Sequence, residues 1–258
     1  MDSRPRTRLA FAALAVSALA SVPTARADET AAPDKPIGVV ELFTSQGCNS
    51  CPPADEFFAE LAADPELVTL SYHVDYWDYL GWRDTLSRKE NTERQYAYMR
   101  AFNGRSVYTP QAVINGRIHV NGANRAAVTD ELAGMEKAGR GMQVAVRVSR
   151  SGDGVMIDAG DAAKGAGDTN AHVIVVYFDA PQTVAIGKGE NDGRKLTYWN
   201  AVSDIQTAGM WHGKAQRYEL PLSEISKKGG GAVLLQAVGP DGLPGPILGA
   251  AFIRKPAQ

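Results

Sequence analysis

Apolar positions along the chain follow two rhythms, and the change from one to the other divides it. In residues 37–43 apolar side chains run almost unbroken around Glu41, which predicts a buried strand. Residues 44–47 are a polar turn. Over 55–63, Phe57, Phe58 and Leu61 recur at helical spacing behind acidic residues, until Pro65 stops the helix. Strand character returns over 67–76 through Val68, Leu70, Tyr72 and Val74. A polar segment over 87–102 places Tyr96, Met99 and Phe102 on one helical face, with Gly104 beyond it. Residues 111–114 and 117–120 flank Asn115-Gly116, a dipeptide suited to the tight turn of a hairpin. A last helix over 124–137 has Asn124 as its cap.

This order, strand–helix–strand–helix–strand–strand–helix, predicts an α/β domain over 37–140. It would carry one parallel and one antiparallel pairing in a mixed four-stranded sheet with helices on both faces. Past Gly139 the helical rhythm is lost. Segments 143–149, 155–159, 172–178, 183–186, 196–202, 217–220, 232–238 and 247–253 read as strands separated by turn residues. They predict an all-β, sandwich-like domain over 141–258.

The N-terminus has a different grammar. Arg4, Arg6 and Arg8 precede an apolar run over 9–20, and Ala25-Arg26-Ala27 supplies a small-x-small cleavage site. This is the layout of a secretory signal peptide over 1–27, the run being short of the about 20 apolar residues that span a bilayer. Residues 28–36 would form an N-terminal extension. The expectation is an exported protein, periplasmic or secreted, with no stable membrane insertion after cleavage. The whole chain is formally −2, and its first 27 residues hold four arginines and one aspartate, so cleavage leaves −5. That acidity argues against a nucleic-acid partner.

The only two cysteines, Cys48 and Cys51, then acquire meaning. A bridge across two residues removes little entropy from the unfolded chain, so the pair is a poor structural staple. At the start of a helix it suits redox chemistry, because free N–H groups and the helix dipole favour thiolate. Cys48 is expected as the exposed attacking sulfur, Cys51 as the buried resolving one. Pro52 and Pro53 fit a first turn capped by Asn49 or Ser50. Thr109-Pro110, just before a strand, is expected to be a cis bond that offers the Thr109 backbone to an extended substrate.

Other residues carry a chemical and a plain reading together. Glu41 is a possible proton acceptor for the dithiol or an exposed edge glutamate. Asp55 shares the helix face of the cysteines, and reads first as a carboxylate favoured by the helix N-terminus. His73, Asp75 and Trp77, with Tyr76, Asp78 and Trp82, form either a recognition surface or aromatic packing. Two thiolates also suit Cu(I), with His73 or His119 as a further ligand, making copper the alternative to a cofactor-free site; no zinc-type spacing is present. The Gly-rich loop 187–194 reads as a charged hairpin connection or a docking loop.

Together, residues 39–51, the Thr109-Pro110 turn and the element order resemble the thioredoxin superfamily. More narrowly, Glu41-Leu42-Phe43-Thr44-Ser45-Gln46-Gly47-Cys48-x-x-Cys51-Pro52-Pro53-Ala54-Asp55, His73-Val74-Asp75-Tyr76-Trp77-Asp78 and Gly189-Glu190-Asn191 resemble an exported bacterial family of uncharacterised function with a thioredoxin-like domain. Gly47 departs from simple thioredoxins, which place an aromatic residue before the first cysteine. The resemblance implies thiol–disulfide exchange with protein thiols or disulfides, and an upstream redox partner that resets the dithiol. The alternatives are a copper-handling module and a non-catalytic interaction protein.

Overall fold

Strand β1 (Gly38–Thr44) lies at the centre of the chain's first sheet, and all seven of its residues are buried. It pairs in parallel with β2 (Leu67–His73), Thr44 opposite His73, and antiparallel with β3 (Gln111–Ile114), which pairs with β4 (Ile118–Asn121). The order β2-β1-β3-β4 is the mixed four-stranded sheet that the apolar pattern predicts. The computed structural model describes Met1, residues 35–163 and residues 170–253. The segment expected to be a signal peptide, and most of the expected extension, therefore lie outside the described residues. No helix among those described is long and apolar enough to cross a membrane.

Strand alternation assigns the two faces. Val40 and Leu42 meet Phe57, Phe58 and Leu61 of α1 (Pro52–Ala62) and Val128 and Leu132 of α3 (Arg125–Lys137). Val39 and Phe43 face the other way, with Val68, Leu70 and Tyr72 of β2 and Tyr98 of α2 (Lys89–Ala101). Asn124 caps α3 as expected, its side chain accepting from the Ala127 N–H. Asn115 and Gly116 both take positive φ, 51° and 61°, the geometry of the hairpin turn that their pairing predicts.

The later strands form antiparallel sheets. β7 (Ala171–Phe178), β10 (Val202–Trp211), β12 (Gly230–Val238) and β13 (Pro244–Ile253) assemble in the order β10-β7-β12-β13. β5 (Val146–Ser151), β6 (Gly154–Ala159) and β11 (Gln216–Pro221) make a second sheet in the order β11-β6-β5. β8 (Gln182–Ala185) and β9 (Lys195–Tyr198) form a separate hairpin. One face of the β10-β7-β12-β13 sheet packs on the three-stranded sheet through Val173, Val175, Val233 and Leu235. Its other face, through Ile174, Val176, Ala232 and Leu234, joins the core over the first sheet. Burial on both faces explains why β7 and β12 read as unbroken apolar runs.

The described residues from 35 onward consequently form one compact unit. Polar stitching follows the β2 edge. Asn200 Nδ2 donates to the Thr69 carbonyl at 3.1 Å, and Asn91 Nδ2 donates to the carbonyls of His73 and Val202.

Three elements depart from the sequence reading. The strand expected over 67–76 stops at His73. The segment read as one strand over 196–202 is the end of β9 and the start of β10, and most of β10 has no strand signature. β10 is an edge strand with bulges at Val202/Asp204 and Thr207/Gly209, which break the alternation that marks a strand in sequence. A five-residue helix, α4 (Leu222–Ser226), also interrupts the β region, anchored by buried Ile225.

Candidate functional site

Helix α1 begins later than the expected caps allow: Cys51 itself is the N-cap, and Pro52 and Pro53 occupy the first two helical positions. There a proline costs no backbone bond, because those N–H groups have no helical acceptor. The Cys51 carbonyl instead accepts from Ala54 and Asp55 at 2.8 and 3.0 Å. Cys48 sits a turn earlier, its N–H on the Ser45 carbonyl at 3.1 Å. The two sulfurs form a disulfide with Cα atoms 5.4 Å apart.

Both cysteines are 0% exposed. This corrects the expectation of an exposed Cys48: the residues reaching solvent are Asn49 and Ser50. The loop is held down from several sides. Ser50 Oγ lies 3.4 Å from Cys48 Sγ and donates at 3.4 Å to the Thr109 carbonyl. The Thr109-Pro110 bond is cis. Trp77 Nε1 donates to Thr109 Oγ1 at 2.8 Å, joining the aromatic cluster to the same turn. Gly47 makes this fit possible, since a Cβ there would stand 3.0 Å from Trp77 Cβ and 3.3 Å from its carbonyl oxygen.

The Gly-rich loop docks within the chain. Buried Asn191 donates from Nδ2 to the Gln46 carbonyl at 2.9 Å and to the Cys48 carbonyl at 2.8 Å. Gly189, at φ +78°, lets the loop close on Trp82, whose Nε1 donates to Gln46 Oε1 at 2.9 Å. The second half of the chain thus fixes the backbone of the dithiol loop. Replacing Asn191 with Ala strips both carbonyls of a buried donor and should cost about 2–4 kcal/mol in denaturant unfolding. Asn191→Asp, which cannot donate, should be no better; a loss under about 0.5 kcal/mol for Asn191→Ala, the range of an ordinary surface change, would contradict the clamp.

Beneath α1, on the face shared by Thr44 and His73, lies a buried ionisable cluster. Asp55 Oδ1 accepts from Thr44 Oγ1 at 2.8 Å. His73 Nδ1 is 2.8 Å from Asp84 Oδ2, which also accepts from the Gln46 N–H at 2.7 Å. Tyr198 packs edge-on against His73, ring centroids 4.6 Å apart. Among the described residues Asp55 Oδ2, His73 Nε2 and the Tyr198 hydroxyl have no hydrogen-bond partner. Burial pushes the Asp55 carboxyl up to about 7, against the opposing pull of His73 and the Thr44 hydrogen bond. Burial also opposes charge on His73, but the charge and hydrogen bond of Asp84, with Asp55, hold its pKa above the usual value. In Asp84 the converse holds: burial is outweighed by His73 and two backbone donors, and the carboxyl stays below its ordinary range.

Glu41, the acid singled out in the sequence, is elsewhere. It alternates with Leu42 and points to the face opposite α1, where it is fully buried, not an exposed edge residue. Arg94 Nε donates to it at 2.7 Å and the Tyr98 hydroxyl donates to its other oxygen. Asp75 accepts from Thr92 Oγ1 at 2.7 Å and so ties to the first turn of α2. His119 pairs with the Tyr108 hydroxyl at 2.9 Å and lies tilted against the Phe102 ring, centroids 5.3 Å apart. The described residues contain no group of three or more His, Cys, Asp or Glu side chains placed to hold a metal ion.

Residues 39–236 match a family described as proteins of unknown function (DUF1223). The chain belongs to that family. A protein of Agrobacterium tumefaciens with an X-ray crystal structure is similar to this family member at 48% identity, over 87% of this chain and 97% of that one, with a TM-score of 0.78. HBP35 of Porphyromonas gingivalis is 14% identical over 84% of this chain and 74% of that one, TM-score 0.56, a likeness of fold alone. No curated protein matches the chain.

Sequence reasoning missed Asp84 and Tyr198, and reached Gln46 and Asn191 only as members of the 44–47 turn, the 187–194 loop and the family resemblance, with no role of their own. Each acts across a long stretch of chain: Asn191 is 143 residues from Cys48. No local periodicity marks such a partner.

Proposed function

We propose that this protein is an exported thiol–disulfide oxidoreductase of the thioredoxin superfamily, acting through Cys48 and Cys51 on protein thiols or disulfides. The observation that carries the reading is the Cys48–Cys51 disulfide at the start of α1, joined through Ser50 to the cis Thr109-Pro110 turn. The element order and the β2-β1-β3-β4 sheet support the superfamily assignment.

In the oxidising direction the Cys48 Sγ, covered in the resting structure, is uncovered beside the exposed Asn49 and Ser50 and is attacked by a protein thiolate. The S–S bond breaks, and its electron pair leaves on Cys51 as thiolate, which takes up a proton. A second thiol of the substrate then displaces Cys48 and closes the substrate disulfide. Cys48 leaves as thiolate and is protonated from solvent. The reaction run backwards reduces a substrate disulfide with the Cys48/Cys51 dithiol, and an upstream redox partner resets the pair. Asp55, four residues after Cys51 on the inner side of α1, takes the role first read into Glu41: a buried carboxyl that keeps its proton near neutrality can give or accept the Cys51 proton. The sulfurs carry both electrons, so the reaction needs no organic cofactor.

Equilibrating the protein in graded mixtures of reduced and oxidised dithiothreitol, followed by acid quench and thiol alkylation, tests the reading. One reversible two-electron transition is expected, absent in Cys48→Ser and Cys51→Ser. A disulfide that dithiothreitol reduces but no thiol–disulfide couple re-forms would contradict it.

A further inference from the structure

At the other end of the first sheet from the dithiol, a cavity of about 580 Å³ opens between the C-terminus of α2, the β3–β4 turn and the loop leading into β13. The register places it there: Ile114, next to the turn, pairs with Val40, whereas the dithiol loop follows Thr44. A volume of this order lies within the roughly 300–1,000 Å³ of small-molecule sites.

Three guanidinium groups, Arg100, Arg117 and Arg140, line the cavity, and Asp241 is the one carboxylate on its lining. Among the described residues none of the three arginines forms an ion pair. Two have a local reason to be where they are. Arg100 lies in the last turn of α2, and Arg140 closes the end of α3, its N–H on the Met135 carbonyl. Helix C-termini favour cations without neutralising them. Arg117 has no helix end. Its Nη2 donates to Gln143 Oε1 at 3.2 Å, while its Nε is buried with no partner among the described residues. Burial, and then the like charge of Arg140, hold the Arg117 guanidinium below its usual range. A half-buried arginine with a bare donor, lining one cavity with a second arginine whose like charge it feels, is an anion site in form. The rest of the lining includes Phe102, Leu243 and Pro246, which offer an apolar wall.

We propose that this cavity binds a small amphipathic anion, its carboxylate or phosphate held by Arg117 and Arg140 and its apolar body against Phe102 and Pro246. The site is independent of the dithiol chemistry. Titrating the mature, disulfide-bonded protein with benzoate, phenyl phosphate and neutral benzyl alcohol, while following the amide resonances of Asn103 and Gly116, tests it. At least one anion should bind saturably, with benzyl alcohol weaker by about tenfold or more, the scale of a lost charge-assisted hydrogen bond. The tighter anion identifies the head group. Arg117→Gln and Arg140→Gln should each weaken that anion by a similar factor, and Cys48→Ser should leave it unchanged. Arg140 is exposed, so its variant keeps the test valid if the Arg117 substitution disturbs the hairpin. No saturable shift with either anion, equal affinity for benzyl alcohol, or unaltered binding in Arg140→Gln would overturn the proposal.

Discussion

Arg94→Met is expected to lower the unfolding free energy by about 3–5 kcal/mol, because it leaves the Glu41 carboxylate buried and uncompensated. Glu41 is fully enclosed, and among the described residues Arg94 is the one cation paired with it, its guanidinium lying 5.0 Å from the Tyr98 ring centroid and 5.5 Å from that of Tyr72. The network continues into the second half of the chain. Arg94 Nη2 donates to Gln236 Oε1 at 2.9 Å, and Gln236 Nε2 donates to the Tyr98 hydroxyl at 2.8 Å and to the Gly245 carbonyl at 2.9 Å. The substitution therefore loosens the packing of α2 between the two principal sheets. Glu41→Gln combined with Arg94→Met should recover much of the loss, since removing both charges leaves no isolated ion. Guanidinium unfolding of the two variants measures this; a single variant within about 1 kcal/mol of the native chain, the median worth of a surface pair, would contradict it.

Asp55→Asn is expected to act in the opposite direction, and in a pH-dependent way. The folded carboxyl keeps its proton up to about 7, whereas the unfolded one loses it near 3.8. Between those values the folded state binds more protons, so stability falls as pH rises through that window and is level above it. The interval corresponds to a cost on the order of 4 kcal/mol at pH 8. Asparagine has no proton to retain and can still accept from Thr44, so the variant should gain up to that amount at pH 8 and nothing at pH 3.5. His73, Asp84 and Glu56 are the charged neighbours that set the midpoint. The same substitution should slow thiol–disulfide exchange by about 10²-fold, the usual loss when a positioned acid–base is removed. A stability gain that does not vary with pH would show that Asp55 is not the group whose titration is coupled to folding.

The first half of the fold is legible in sequence because its signals are local. The Asn115-Gly116 turn, the Asn124 cap and the spacing of Phe57, Phe58 and Leu61 each specify their element within one or two turns of chain. β10 is not, because its bulges and half-exposed edge position erase the alternation. The site divides along the same line. Cys48, Cys51 and the cis bond before Pro110 stand out as short motifs. The exposure of Cys48 and the identity of the buried acid do not, since both depend on which elements fold over the motif. Strand parity alone turns Glu41 away from α1. The burial that raises Asp55 comes from β2, the Asp84 loop and β9 closing over one turn of helix. The 187–194 loop, read first as a charged connection and only second as a partner-docking loop, packs on the dithiol loop of its own chain.

The most direct test of thiol–disulfide exchange expresses Cys51→Ala in the native host and isolates the protein from the exported fraction under acid-trapping conditions. Mixed disulfides between Cys48 and other proteins should accumulate, dissolve on reduction and be absent from the Cys48→Ala/Cys51→Ala double variant. A Cys51→Ala protein recovered wholly free of Cys48-linked partners would contradict the assignment of Cys48 as the attacking sulfur and, with it, the proposed function.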